Sequence, residues 1–137
     1  MTHLTENISR DYELGDENSL PVAGGAKIFA GATVGISDGF ARQFEPGDRF
    51  VGFALERADA TDASDGEQAI RIRHKGKIIL ELVGVSYTSV GRDVIATSGN
   101  SFTIVETNEP VLTDGVPAKI GRILRVDGTQ AIVEFTA

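Results

Sequence analysis

A chain of 137 residues is the length of one domain, and at this size it buries roughly 70% of the surface its unfolded form exposes, enough for a core without cross-links. Zero cysteines exclude a disulfide framework, thiol catalysis and thiolate zinc sites, and no apolar run approaches the ~18 residues of a membrane span. Twenty acidic against thirteen basic side chains, a net charge of -7, oppose a nucleic-acid groove and favour solubility.

Residues 1–25 read as an N-terminal arm and 26–137 as a β-domain. The arm sets Glu6, Asp11, Glu13, Asp16 and Glu17 against a single Arg10. Leu4, Ile8 and Tyr12, spaced by four, form a thin helical stripe, and Leu14 follows before Gly15 interrupts. Two readings stay open: a solvated tail, or an arm whose few apolar residues order on a neighbouring chain.

From Ala26 the pattern is β. Ala26–Ser37 is rich in β-branched and small residues, Asp38-Gly39 is a tight turn needing positive φ, and Phe40–Phe44 returns. Glu45-Pro46-Gly47-Asp48 is a second turn. Arg49–Arg57 alternates, placing Val51, Phe53 and Leu55 on one face. After an acidic loop, Gln68–His74 sends Ile70 and Ile72 inward and Arg71 and Arg73 outward. Gly76 breaks the run, and Lys77–Val83 resumes it with Ile78, Leu80 and Leu82. Asp93–Thr97 and Ser101–Glu106 flank Ser98-Gly99-Asn100, and Ala118–Val126 and Thr129–Thr136 flank Asp127-Gly128. About eight short strands with this spacing predict an all-β sandwich or barrel. The expected core is Phe53, Leu55, Ile70, Ile72, Leu80, Leu82, Val133 and Phe135. An internal echo joins Val51–Asp59 to Ile120–Asp127 with one residue skipped; equivalent strands of a pseudo-symmetric barrel would explain it, but chance in a β protein does so nearly as well, and no duplication is claimed.

Catalytic chemistry is thinly supplied. The histidines are His3, in the arm, and His74, at a strand end, and no Gly-x-Ser-x-Gly or Walker loop occurs. No cofactor is implied. Asp59, Asp62, Asp65 and Glu67 gather four carboxylates in one loop, but their spacing is not that of a calcium-binding loop, so a solvated turn is expected. Arg71, Arg73, Lys75 and Lys77 flank Gly76 and read as a solvated face or a cationic patch aimed at an acidic protein surface.

The run Gly31-Ala32-Thr33-Val34-Gly35-Ile36, then Asp38-Gly39-Phe40-Ala41-Arg42, then Pro46-Gly47-Asp48-Arg49-Phe50-Val51-Gly52-Phe53-Ala54 resembles head decoration (cement) proteins of tailed bacteriophages. Ile70-Arg71-Ile72-Arg73 before Gly76, Val90–Thr97 with Asn100–Thr103, and Ile120–Ile123 with Ala131–Phe135 are similar to their later segments. The likeness runs from about Ala26 to Phe135 and leaves the arm outside it. It implies a small β-barrel or jelly-roll-like domain on the outer capsid surface of the virion. Its partners would be the major capsid protein and further copies of itself, as a dimer or trimer at local symmetry axes, with no nucleic acid or membrane. On that expectation the capsid contacts are Leu4, Ile8, Tyr12 and Leu14 of the arm, Asp62 and Asp65 of the acidic loop, and Arg71, Arg73 and Lys77. The alternative is a β-sandwich module of a tail or surface structure that recognises carbohydrate or protein.

Overall fold

The computed structural model describes residues 5–9, 15–105, 112–113, 116–117 and 119–137. The protein is all-β. Its strands are β1 (Glu17–Pro21), β2 (Lys27–Ile28), β3 (Thr33–Ser37), β4 (Phe40–Gln43), β5 (Arg49–Ala54), β6 (Ala58–Asp59), β7 (Ala69–Arg73), β8 (Lys75–Glu81), β9 (Asp93–Ser98), β10 (Ser101–Ile104), β11 (Leu112–Thr113), β12 (Val116–Pro117), β13 (Lys119–Asp127) and β14 (Gln130–Thr136). One five-stranded sheet runs β1-β7-β5-β3-β4 and a second runs β10-β9-β13-β14-β8, while β2 pairs with β6 and β11 with β12.

Each hairpin follows its turn chemistry. Asp38 (φ 51°) and Gly39 (φ 87°) both take the left-handed conformation that a two-residue β3–β4 connection demands. The Asp48 N–H donates to the Glu45 carbonyl at 3.0 Å, with Pro46 and Gly47 at the centre of that turn. The last hairpin turns on Gly128-Thr129 rather than Asp127-Gly128, since Asp127 still pairs with Gln130. Ala26–Ser37 is not one strand: Ala32 N–H donates to the Phe29 carbonyl at 3.1 Å, and this turn separates β2 from β3.

Two hydrophobic clusters result. Val22, Ile28, Ala32, Val34, Ala41, Ala54, Ala58, Ala60, Ile70 and Ile72 pack on one face of the first sheet. Phe44 and Phe53 join Leu80, Leu82, Val94, Ile120, Ile123, Val133 and Phe135 between that sheet and the second. Phe50, Phe53 and Phe135 meet edge-to-face, with centroids 4.9–6.3 Å apart. Each such contact adds about 0.5–1.5 kcal/mol to burial of the rings. The expected core therefore holds except at Leu55, which is half-buried because β5 ends at Ala54.

Strict alternation along Arg49–Arg57 is overturned. Val34 pairs with Gly52 but Gly35 pairs with Phe50, so Val51 is an extra residue in β5. The bulge sends Phe50 and Phe53 to the inter-sheet core and Val51 and Ala54 to the other cluster. Gly52 has φ 139°, and a Cβ there would lie 2.3 Å from the Arg73 carbonyl oxygen. The echo in the sequence has a counterpart in β13, where Ile120 is the extra residue against β9. A Cβ on Gly121 would lie 2.2 Å from the Glu134 carbonyl oxygen.

Two further expectations are corrected. The sheet begins before Ala26: β1 pairs with β7 from Glu17↔Arg73 to Pro21↔Ala69, because Leu20 and Val22 supply apolar groups to the first core. Nor does the chain turn at Gly76, which lies inside β8 at φ 139°. The break is at His74, whose N–H donates to the Asp16 carbonyl at 3.0 Å and whose carbonyl accepts from Ala137 N–H at 2.7 Å. One residue thus hands the chain from the first sheet to the second.

Replacing Gly52 by alanine is expected to cost about 2–4 kcal/mol in urea unfolding, through a forbidden φ and a backbone collision together. Gly84→Ala, at φ 77° but facing open space, is expected to cost only about 1 kcal/mol.

Candidate interaction surface

The motif that opens the β-domain is organised around one buried carboxylate. Asp48 retains 3% of its side-chain exposure and takes two hydrogen bonds from Arg42, from Nε at 2.9 Å and Nη2 at 2.7 Å. The Glu45 N–H donates to it at 3.1 Å. A Cβ on Gly35 would lie 2.7 Å from Asp48 Cβ, so the carboxylate rests on bare backbone. The hydrogen bond to Asp48, opposed by partial burial, raises the Arg42 guanidinium further above its ordinary pKa. This clamp ties β4 to the Glu45–Asp48 turn, so these charged motif residues are used internally.

The acidic loop is likewise spent on its own shape. Asp59 accepts from Thr61 Oγ1 and from Thr61 N–H, and lies 3.6 Å from Arg57 and 4.0 Å from Lys27. Asp65 accepts from Gly24 N–H at 2.7 Å, and Glu67 from Ser64 N–H at 2.9 Å. Asp62 stands exposed beside them. Among the described residues, no group of three or more histidine or acidic side chains is placed to hold a metal ion.

The cationic residues do not share a face around Gly76. Arg71 and Arg73 lie in the first sheet, whereas Lys75 and Lys77 lie in the second. Arg71 reaches Glu17 at 3.5 Å and Glu56 at 3.6 Å, and Arg73 reaches Asp16 at 3.8 Å. Acids preceding and within β1 therefore neutralise the patch that spacing suggested. In the arm, Ile8 is exposed, while Leu4, Tyr12 and Leu14 lie outside the described residues. His74 serves as the joint between the sheets, as described above.

Sequence reading missed the apolar groups left in solvent. Ile79 on β8 is 62% exposed, and in the segment that follows Val83 is 99%, Tyr87 80% and Val90 48% exposed. Ile79 lies on the edge strand of the second sheet, and the others lie in the segment that leads from β8 to β9, with a short 3₁₀ turn at Tyr87–Ser89 against β13. The only available signal was an isoleucine at an outward position of an alternating strand. Phe29, half-exposed, is a second such group: Lys27 Nζ and the Arg57 guanidinium sit 5.6 and 5.5 Å from its ring centroid. Between the sheets a cleft of ≈ 600 Å³ is lined by Ala23–Lys27, Arg42–Glu45 and Ser98–Asn100. Gln43 Nε2 donates to the Lys27 carbonyl and Thr33 N–H to the Gly99 carbonyl, both at 2.9 Å, which fixes its floor. No protein family, curated protein or solved structure matches this chain.

Asp48→Ala is expected to cost about 2–3 kcal/mol in denaturant unfolding, since it leaves the Glu45 N–H unpaired and the Arg42 guanidinium with Glu45, 2.6 Å away, in place of two carboxylates. The Asp59 carboxyl is held below its ordinary pKa, first by the Thr61 hydroxyl and N–H and then by Lys27 and Arg57. A lowered folded-state value stabilises above the unfolded value and is lost as pH falls through the folded one. Asp59→Asn is therefore expected to narrow the drop in Tm between about pH 7 and about pH 3 relative to the parent chain.

Proposed function

We propose that the protein is a capsid cement: a structural component that binds the outer surface of an assembled phage head and links neighbouring major capsid subunits. On this reading it is made in the host cytoplasm, is not an enzyme, and touches neither packaged DNA nor a membrane. Its architecture is read as the small β-barrel or jelly-roll-like domain of the decoration proteins. The Val22–Ala41 bridge between the two ends of the first sheet is in keeping with that.

The observation that carries the proposal is the set of exposed apolar side chains Ile79, Val83, Tyr87 and Val90. Large apolar groups left in water are candidates for protein contact, and here they lie on an edge strand and in the loop that follows it rather than in a pocket. Charge supports the same assignment, because a net -7 keeps the molecule off nucleic acid while leaving it soluble before assembly. The arginines paired with Asp16, Glu17 and Glu56 recede as contacts, and Val83, Tyr87 and Val90 replace them. Affinity comes from repetition: when several copies associate, the second head contact becomes intramolecular and avidity rises by about 10²–10⁴ over one site.

A second reading, the carbohydrate- or protein-binding surface module, draws on the exposed aromatic rings Phe29 and Tyr87 among the described residues. Reproducible glycan-array hits lost in Tyr87→Ala would favour it.

The test is co-sedimentation with empty mature and immature phage heads. The parent chain is expected to pellet preferentially with mature heads. Replacing both Val83 and Tyr87 by serine is expected to weaken binding at least ten-fold, the loss typical of an apolar anchor. Equal indifference to both kinds of head would remove the cement reading.

A further inference from the structure

The second sheet ends in an edge that no described strand covers. Among the described residues β8 is its outermost strand, seven residues long, paired on one side with β14 alone. Leu82 N–H donates to the Thr129 carbonyl and Ala137 N–H to the His74 carbonyl, so even-numbered residues turn their backbone groups toward β14. By the alternation of a strand, Lys75, Lys77, Ile79 and Glu81 turn theirs toward the open side. A long edge with unpaired backbone groups is a template for another strand, which proteins ordinarily blunt with lysine, proline or a bulge. Lys77 alone would serve that purpose. An isoleucine 62% exposed at the middle of the edge works against it.

We propose that β8 pairs antiparallel with β8 of a second copy about a two-fold axis through Ile79, joining the two five-stranded sheets into one. This takes up the self-association within the cement reading but needs nothing of the head. The register follows from chemistry. Centred on Ile79, Lys77 stands opposite Glu81 of the partner subunit, twice by symmetry, and Ile79 stands opposite itself. Those three residues share the outer face of the sheet. On the inner face Ile78 and Leu80 face each other across the axis and extend the phenylalanine core. Other registers lose this match. Centring on Ile78 sets Lys77 against isoleucine, centring on Leu80 sets Ile79 against glutamate, and centring on Lys77 or Glu81 opposes like charges, which destabilises a cross-strand pair. The Ile79 register also directs the outward N–H and C=O groups of facing residues at one another, as a hydrogen-bonded antiparallel pair requires.

The other edges are poorer templates. β10 has four residues, β1 contains Pro21, and β4 is bridged at Ala41 by Val22.

Sedimentation equilibrium on the full chain tests the interface. The parent chain is expected to be a dimer. Lys77→Glu and Glu81→Lys are each expected to weaken dimerisation about ten-fold, because each turns two attractive pairs into repulsive ones. The two together are expected to return to within about three-fold of the parent. Because the chain lacks cysteine, Ile79→Cys is expected to cross-link to itself on mild oxidation while Ser19→Cys on the β1 edge does not, a readout independent of the charge variants. A monomer at millimolar concentration overturns the proposal. So does a cyclic trimer, which an isologous pairing cannot build, or single and double charge variants of equal effect. Dimers that form only after removal of residues 1–14 would assign the edge to the chain's own N-terminal segment and equally overturn it. Head binding by a monomer would sink this interface and leave the cement reading intact, and a dimer that ignores heads would do the reverse.

Discussion

The fold depends on one strand being buried on both faces. β5 must give phenyl rings to the inter-sheet core and small side chains to the core of the first sheet, and a regular strand of this sequence would place Val51 and Phe53 together. The extra residue at Val51 resolves the conflict by rotating the strand midway. That rotation brings the Arg73 carbonyl so close to residue 52 that only glycine fits. Arg73 is in turn the last residue of β7 before His74 passes the chain to the other sheet. The bulge, the close approach and the handover between sheets are thus one connected constraint. β13 meets a similar demand with the same device at Ile120-Gly121, which gives the short echo in the sequence a mechanical meaning without requiring duplication.

Several charges, those of the expected contacts Arg71 and Arg73 included, are spent at home. Asp48 pairs with Arg42, Asp59 accepts from Thr61 with Lys27 and Arg57 near, and Arg71 and Arg73 pair with Glu17 and Asp16. Apart from the buried Asp48–Arg42 pair, these are exposed and add little stability. Their effect is on recognition, because a paired arginine offers little to an incoming carboxylate. Beside these pairs the surface exposes large apolar groups at Ile79, Val83, Tyr87 and Val90. Functional assignment therefore shifts from the cationic residues toward the edge of the second sheet.

Legibility followed the range of the forces involved. Turn chemistry is local, so Asp38-Gly39 and Pro46-Gly47 were readable, and alternation placed Ile70, Ile72, Leu80 and Leu82 correctly. β1 was hidden in an acidic stretch because an edge strand needs few apolar groups of its own, and its pairing partners lie 48 to 56 residues away. The candidate contacts fared unevenly: Arg71 and Arg73 are outward as expected, but no local pattern could show that Asp16, Glu17 and Glu56 sit beside them.

By itself the amino-acid order determined that this is an all-β, acidic, cysteine-free chain, with most of its turns and core residues, since composition, periodicity and turn residues act over a few positions. Only tertiary structure decided where the strands leave one sheet for the other, which charges cancel, and which apolar groups remain in water. Those outcomes depend on which distant segments end up adjacent, and burial is a property of the assembled neighbourhood rather than of any residue in it.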